Sequence, residues 1–247
     1  MSTESYKDDS SLKIDNSQSE ISFFSSVKAL LDSRESNLIN MANLYKNIAE
    51  ANWSKDKSHS QIFANFLSEI SSVQASEMKA GNSEIYLKMR LSYAVTLMES
   101  CLGEMLKSVT MQHEQFRRNA INNISQIRES KVSAHELLDG DPQKILDSRI
   151  IEHITRILYH NMDKVKKVYA QILDDDFPTF KDGLNDKIVE LMDLRHDIVH
   201  RNGKKIDGEK IEITPQMVSA CIWDIRTFVN SVHGFINQNI EKHKKTD

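Results

Sequence analysis

Only 7 glycines and 3 prolines occur in 247 residues, and that scarcity constrains the fold more than any other feature of the sequence. Glycine weakens a helix through its backbone freedom, proline through its missing donor and the clash of its ring with the preceding turn. A chain so poor in both can sustain long helices, so an all-α protein is expected. The 39% hydrophobic content is ample for a core. The length suits one large domain, or one domain with a helical extension.

Apolar spacing divides the chain into three parts. Residues 1–20 are Ser-rich and acidic, with Lys7 and Lys13 against Glu4, Asp8, Asp9, Asp15 and Glu20. They have little to bury and read as a disordered tail. Residues 21–83 read as an N-terminal helical extension. Its first helix runs from Ile21 to about Ala49 with Val27, Leu31, Leu38, Met41 and Ile48 on one face, and its second from about Ser58 to Lys79. Gly81-Asn82-Ser83 ends the extension with a stop and a cap.

Residues 84–240 read as the main helical domain. Its opening helix, about Glu84 to Glu114, is the most apolar and should form the centre of the core. The stretch 115–139 is more polar and helical in pieces. At Asp139-Gly140-Asp141-Pro142 one element stops and another starts, with Asp141 as N-cap, and a long helix then continues to about Leu173. After Asp174–Pro178 a further helix runs from about Gly183 to Arg201, closed by Asn202-Gly203. The Asp207-Gly208 turn signal predicts a short β-hairpin over 203–213, and Thr214-Pro215 opens a last helix. The expected architecture is therefore a bundle of about six helices with one hairpin insertion.

The formal net charge is −4, so the surface as a whole repels polyanions and any nucleic-acid contact must come from a local basic patch. Cys101 and Cys221 lie in apolar helical patterns far apart in sequence, which suits two reduced thiols better than a disulfide or a metal site. The opening Met-Ser-Thr-Glu-Ser carries no basic, apolar leader pattern, and no run approaches the ~18 apolar residues of a membrane span. A cytoplasmic protein without a membrane partner is expected.

The densest gathering of chemically capable side chains is Asp193-Leu-Arg195-His196-Asp197-Ile-Val-His200-Arg201-Asn202 at the end of a helix. His196 and His200 are about 40° apart around an ideal helix and share a face, whereas Arg195 and His200 diverge by about 140°. Either the helix distorts there, or Arg195 reaches around, or a second chain completes the site. These residues fit three chemistries. Basic side chains at a helix C-terminus complement the dipole and the last carbonyls. An i,i+4 histidine pair is a metal-ligand spacing, but Asp197 replaces the glutamate of the metalloprotease motif and no third ligand follows.

The third chemistry comes from resemblance. Arg-x4-His at Arg195–His200, preceded by an apolar helix and followed by Arg201-Asn202-Gly203-Lys204 and a closing helix, resembles the signature of the HEPN superfamily, in particular its RiboL-PSP-like branch. The segment Tyr93–Leu102, with Glu99 inside it, resembles that family's early core helix. The likeness covers roughly residues 84–240. It implies a metal-independent endoribonuclease without cofactors, working as a homodimer with two motifs facing each other. The catalytic residues would be Arg195, His196 and His200, although the position of His196 more often holds Asn or Asp in the family. Arg201, Asn202, Lys204 and Lys205 would contact the RNA backbone; over 195–210 five Lys/Arg stand against three acids. A toxin or phage-defence effector with an antitoxin or regulatory partner is the role so implied. The alternatives are a catalytically silent HEPN-like interaction or RNA-binding module, or a helical adaptor in which the Arg–His pair is incidental. Glu99 either orders a motif residue or faces solvent. His113, His135, His153 and His160 suggest no ligand set, and Lys164–Lys167 reads as an exposed helix face.

Overall fold

The most apolar stretch of the sequence does occupy the centre of the fold. The structure, a computed structural model, describes residues 10–76, 83–139 and 141–245. Ten α-helices occur among them: α1 (Ser10–Asp56), α2 (His59–Ala75), α3 (Glu84–Gln112), α4 (Glu114–Asn123), α5 (Ser125–Arg128), α6 (Ala134–Asp139), α7 (Pro142–Thr155), α8 (Met162–Leu173), α9 (Leu184–Arg201) and α10 (Pro215–Lys244). The all-α class is as expected, but ten helices replace the expected six because the polar stretch after α3 breaks into short pieces and a long helix is interrupted.

The chain divides between Lys46 and Asn47. In the first part, residues 1–9 of the expected tail lie outside the described residues, while residues 10–20 are helical. Leu30, Leu31, Leu38 and Tyr45 of α1 are exposed there. In the second part, α3 buries Leu91, Ala94, Val95, Met98, Met105, Leu106 and Val109 completely. It packs against α2, α7, α9 and α10. Helix α2, read in the sequence as part of an extension, thus shares one core with residues 84–240: Ile62, Phe66, Ile70 and Val73 are buried in it. Burial of this kind stabilises by roughly 1.5–3 kcal/mol per large side chain before the entropy of ordering is counted.

Local signals set the helix starts. Ser58 and Gln61 form a reciprocal capping box on α2, Asp141 accepts from the Gln143 amide with Pro142 in the first turn of α7, and Thr214 caps α10 ahead of Pro215.

Two expectations are corrected. The helix expected to run unbroken from Pro142 to Leu173 stops at Thr155 and restarts at Met162, where Asn161 caps α8 by accepting from the Lys164 amide. The break lets Tyr159 leave the helical path and pack on Gly103 of α3, where an added Cβ would meet its ring at 3.1 Å. The expected hairpin is also absent as a strand pair. Lys204 and Lys210 form one isolated antiparallel bridge around a tight turn, and no strand occurs among the described residues. The turn signal is real, since Gly208 has φ of 86°. Ile206 at its tip is 86% exposed, so a longer ladder would have no apolar face to cover it.

Candidate functional site

Helix α9 carries the Arg–His motif on a frame set by its buried face. Leu184, Ile188, Leu191, Met192 and Ile198 point into the core, which leaves Arg195 half-buried and turns His196 and His200 outward. The helix stays continuous to Arg201, so no local distortion brings Arg195 and His200 together. The divergence expected from the helical repeat is what the fold contains. The imidazoles of His196 and His200 lie side by side in a tilted arrangement, with ring centroids 4.6 Å apart and planes at 42°.

Arg195 faces inward to Glu99 of α3. Burial raises the pKa of Glu99, while the Arg195 guanidinium and then His160 favour its charged form. Glu99 Oε1 and Arg195 Nε are both buried without a hydrogen-bond partner among the described residues. Glu99 Oε1 and Arg195 Nε thus keep unspent hydrogen-bonding capacity in a partly dry setting. Glu99 Oε1 is buried rather than facing solvent, and it has no hydrogen-bond partner among the described residues through which it would order a motif residue. The contribution of His160 carried no local sequence signal, because it depends on the α7–α8 break.

The end of α9 is tied back to the start of α3. Asn202 and Gly203 take left-handed conformations, with φ of 55° and 78°. The Gly203 amide donates to the Asp197 carbonyl at 2.9 Å, closing the helix as the Asn-Gly pair suggests. The positive φ favours glycine here, and a Cβ on residue 203 would also push on the flexible end of Lys88, lying 2.8 Å from its Cε. Lys88 Nζ donates to the Asn202 carbonyl at 2.9 Å and pairs with Glu84 at 2.8 Å. Lys210 reaches the same carboxylate at 2.7 Å. Lys210 and then Lys88 pull the Glu84 pKa down to about 2. Neither Glu84 nor Lys88 was distinguishable in the sequence as part of the site, lying more than a hundred residues before the motif.

The basic residues expected to meet RNA divide. Arg201 pairs with Asp197 and Lys205 with Glu209 at 2.6 Å, whereas Lys204 is exposed with no ion pair among the described residues. A cavity of about 720 Å³ opens beside the motif, lined by Asp193, His196, Asp197, Arg201, Lys205 and Asp207 together with Ile206. Its three aspartates outnumber its two cations, and neither Arg195 nor His200 lines it.

No group of three or more His, Cys, Asp or Glu side chains among the described residues is arranged to hold a metal ion. Cys101 and Cys221 are free thiols. Burial pushes Cys101 up to about 12 and Cys221 up to about 11, which leaves neither a nucleophile at neutral pH. No described helix is long and apolar enough to cross a membrane. No protein-family model, no curated protein and no solved structure matches the chain.

Proposed function

We propose that the chain is a metal-independent endoribonuclease of HEPN type, acting as a homodimer. The observation that carries this reading is the charge-paired environment of Arg195. A permanently cationic guanidinium at a helix end acts electrostatically on the half-buried Glu99 carboxylate of the central helix, while two imidazoles with ring centroids 4.6 Å apart stand exposed on the same turn. A forked donor next to proton carriers is what in-line transesterification of RNA requires.

In this mechanism His200 takes the proton of a ribose 2′-hydroxyl. The O2′ atom bonds to the adjacent phosphorus as the P–O5′ bond breaks. A protonated imidazole, that of His196 or of the facing protomer's motif, gives its proton to the departing 5′ oxygen. Arg195 neutralises charge on the non-bridging oxygens as it develops. The products are a 2′,3′-cyclic phosphate and a 5′-hydroxyl. Since Arg195 and His200 diverge on one helix, pairing two motifs across an isologous interface lets one protomer's Arg195 work beside the other's His200. Arg201, Asn202, Lys204 and Lys205 would steer the backbone into that interface. A cytoplasmic toxin or phage-defence effector restrained by an antitoxin or regulatory partner is the corresponding role.

One observation favours a second reading. The cavity beside the motif is lined by three aspartates, which suits a silent HEPN-like dimeric interaction module better than a phosphate channel. Cleavage assays on RNA separate the two. On any RNA the wild type cuts, His200→Ala should lose about 10²–10⁴-fold in rate and Arg195→Ala about 10²–10³-fold, both with unchanged helical circular dichroism. A substrate with deoxyribose at the scissile position should resist cleavage. Equal cutting of that substrate, or full activity in His200→Ala, would end the ribonuclease reading.

A further inference from the structure

A second site lies away from the motif, in a trough where α5, α7 and α8 meet. Two cavities share Gln126, His153 and Arg156 and so form one continuous depression. The larger, about 350 Å³, is also lined by Ser125, Lys164 and Lys167, and no acidic residue lines it. The smaller, about 290 Å³, adds Lys131 and Arg149, with Glu152 as its one acid. Five Lys and Arg therefore line the trough with one carboxylate, in a chain whose net charge is −4, and Arg149 also pairs with Glu136 beside it at 2.6 Å. Glu152 is shared by Arg149 at 3.4 Å and Arg156 at 2.6 Å. Lys131, Lys164 and Lys167 have no ion pair among the described residues, so their charge is available to a ligand. The residues come from sequence positions 125 to 171, so no local run announces the trough. Lys164 and Lys167 read as a solvated face only until α7 and α5 are placed opposite them.

The chemistry of the trough is not that of a compact anion site. Its length along two joined cavities spaces the cations over several residues' reach, and Ile157, Leu158 and Val168 add an apolar wall. Leu158 is 50% exposed. Spaced cations with amide and hydroxyl groups match successive phosphates, and an apolar wall suits the faces of unstacked bases. Burial and then Arg156 lower the His153 pKa, so at neutral pH its ring is a hydrogen-bonding wall and adds no charge.

We infer that this trough binds the phosphodiester backbone of single-stranded RNA, the substrate class of the ribonuclease reading. The experiment is fluorescence anisotropy with a short 2′-O-methyl RNA oligonucleotide, which keeps the backbone but lacks the nucleophile, so binding is read without cleavage. The full chain is compared with Lys164→Gln/Lys167→Gln and with Lys181→Gln as a control on an exposed lysine elsewhere. The double variant should bind about tenfold more weakly. Its slope of log affinity against log salt should fall by about 1.4, two phosphate contacts at ~0.7 each on a single strand. The control should match the wild type, and polyglutamate of equal charge should not displace the oligonucleotide. Unchanged affinity and slope in the double variant, an equal loss in the control, or displacement by polyglutamate would each overturn the trough as an RNA site. The two readings fail separately. A wild type that binds through the trough but cuts no RNA ends the ribonuclease reading alone, and a wild type that cuts RNA while the double variant binds normally ends the trough alone.

Discussion

The motif turn and the trough are both basic regions of this molecule, and they hold their lysines differently. Around the motif nearly every cation is neutralised by a neighbour: Arg201 by Asp197, Lys205 by Glu209, Lys88 and Lys210 by Glu84. In the trough Lys131, Lys164 and Lys167 have no such partners among the described residues, while Arg149 and Arg156 are paired with Glu136 and Glu152. In the sequence the two regions look alike, because the motif stretch and Lys164–Lys167 each show a local excess of cations. Local net charge counts residues, whereas a polyanion meets only charge left unpaired after folding. On the proposed function the two regions would divide labour, with chemistry at Arg195, His196 and His200 and most of the backbone binding at the trough.

Changes at the motif should break that division most visibly, lowering kcat while leaving binding of an uncleavable RNA intact. The next largest effect concerns Glu99, a positioning residue that reaches substrate only through Arg195. Glu99→Gln should lower kcat about tenfold with KM unchanged, a loss of ~1.4 kcal/mol through the charge that Glu99 presents to Arg195. Arg195→Ala/Glu99→Gln should then be no slower than Arg195→Ala alone, an outcome that a purely structural role for Glu99 would not give. A full tenfold further loss in the double variant would place Glu99 outside the Arg195 pathway.

Smaller effects sharpen the comparison. Lys204→Gln should weaken binding of the uncleavable RNA by about twofold, and Lys205→Gln by less, because Lys205 is already matched by Glu209. If Lys205→Gln instead equals the Lys164→Gln/Lys167→Gln pair, charge pairing does not govern access to RNA. The smallest expectation is a pH effect on the turn itself. The Glu84 pKa is depressed to about 2, so its stabilising pairs are complete above the ordinary carboxylate range and are lost as pH falls toward 2. Hydrogen exchange at the Gly203 and Ile211 amides, corrected for intrinsic rates, should stay constant from neutrality to mildly acidic pH. It should accelerate only in stronger acid, and acceleration near pH 5 would contradict the Glu84 anchor.

Much of the fold was legible because helix starts are written locally. Ser58-x-x-Gln61, Asp141-Pro142 and Thr214-Pro215 each place an acceptor or a fixed φ where a helix must begin, and α3 announces itself by unbroken apolar periodicity. What was illegible depends on distant partners. Apolar periodicity runs on either side of Leu158–Asn161, and only the packing of Tyr159 against Gly103 decides that the helix breaks there. Asp207-Gly208 specifies a turn but not the strands, since strands need a face to bury. At the site, Arg195, His196 and His200 stood out through their own spacing. Glu84, Lys88 and His160 did not, because each acts across tens of residues. Glu99 was singled out, but its inward aim depended on how α3 and α9 pack. The residues of the trough were scattered over three helices for the same reason.

The central claim is that Arg195 and His200 cut RNA using the RNA's own hydroxyl, and the most direct measurement maps RNA ends in cells expressing either the wild type or His200→Ala at equal levels. The wild type should generate new fragments ending in 2′,3′-cyclic phosphate, paired with 5′-hydroxyl ends at the same positions, and His200→Ala should not. Identical end profiles and identical growth in the two strains under every trigger tried would contradict the account and leave the dimeric interaction module in its place.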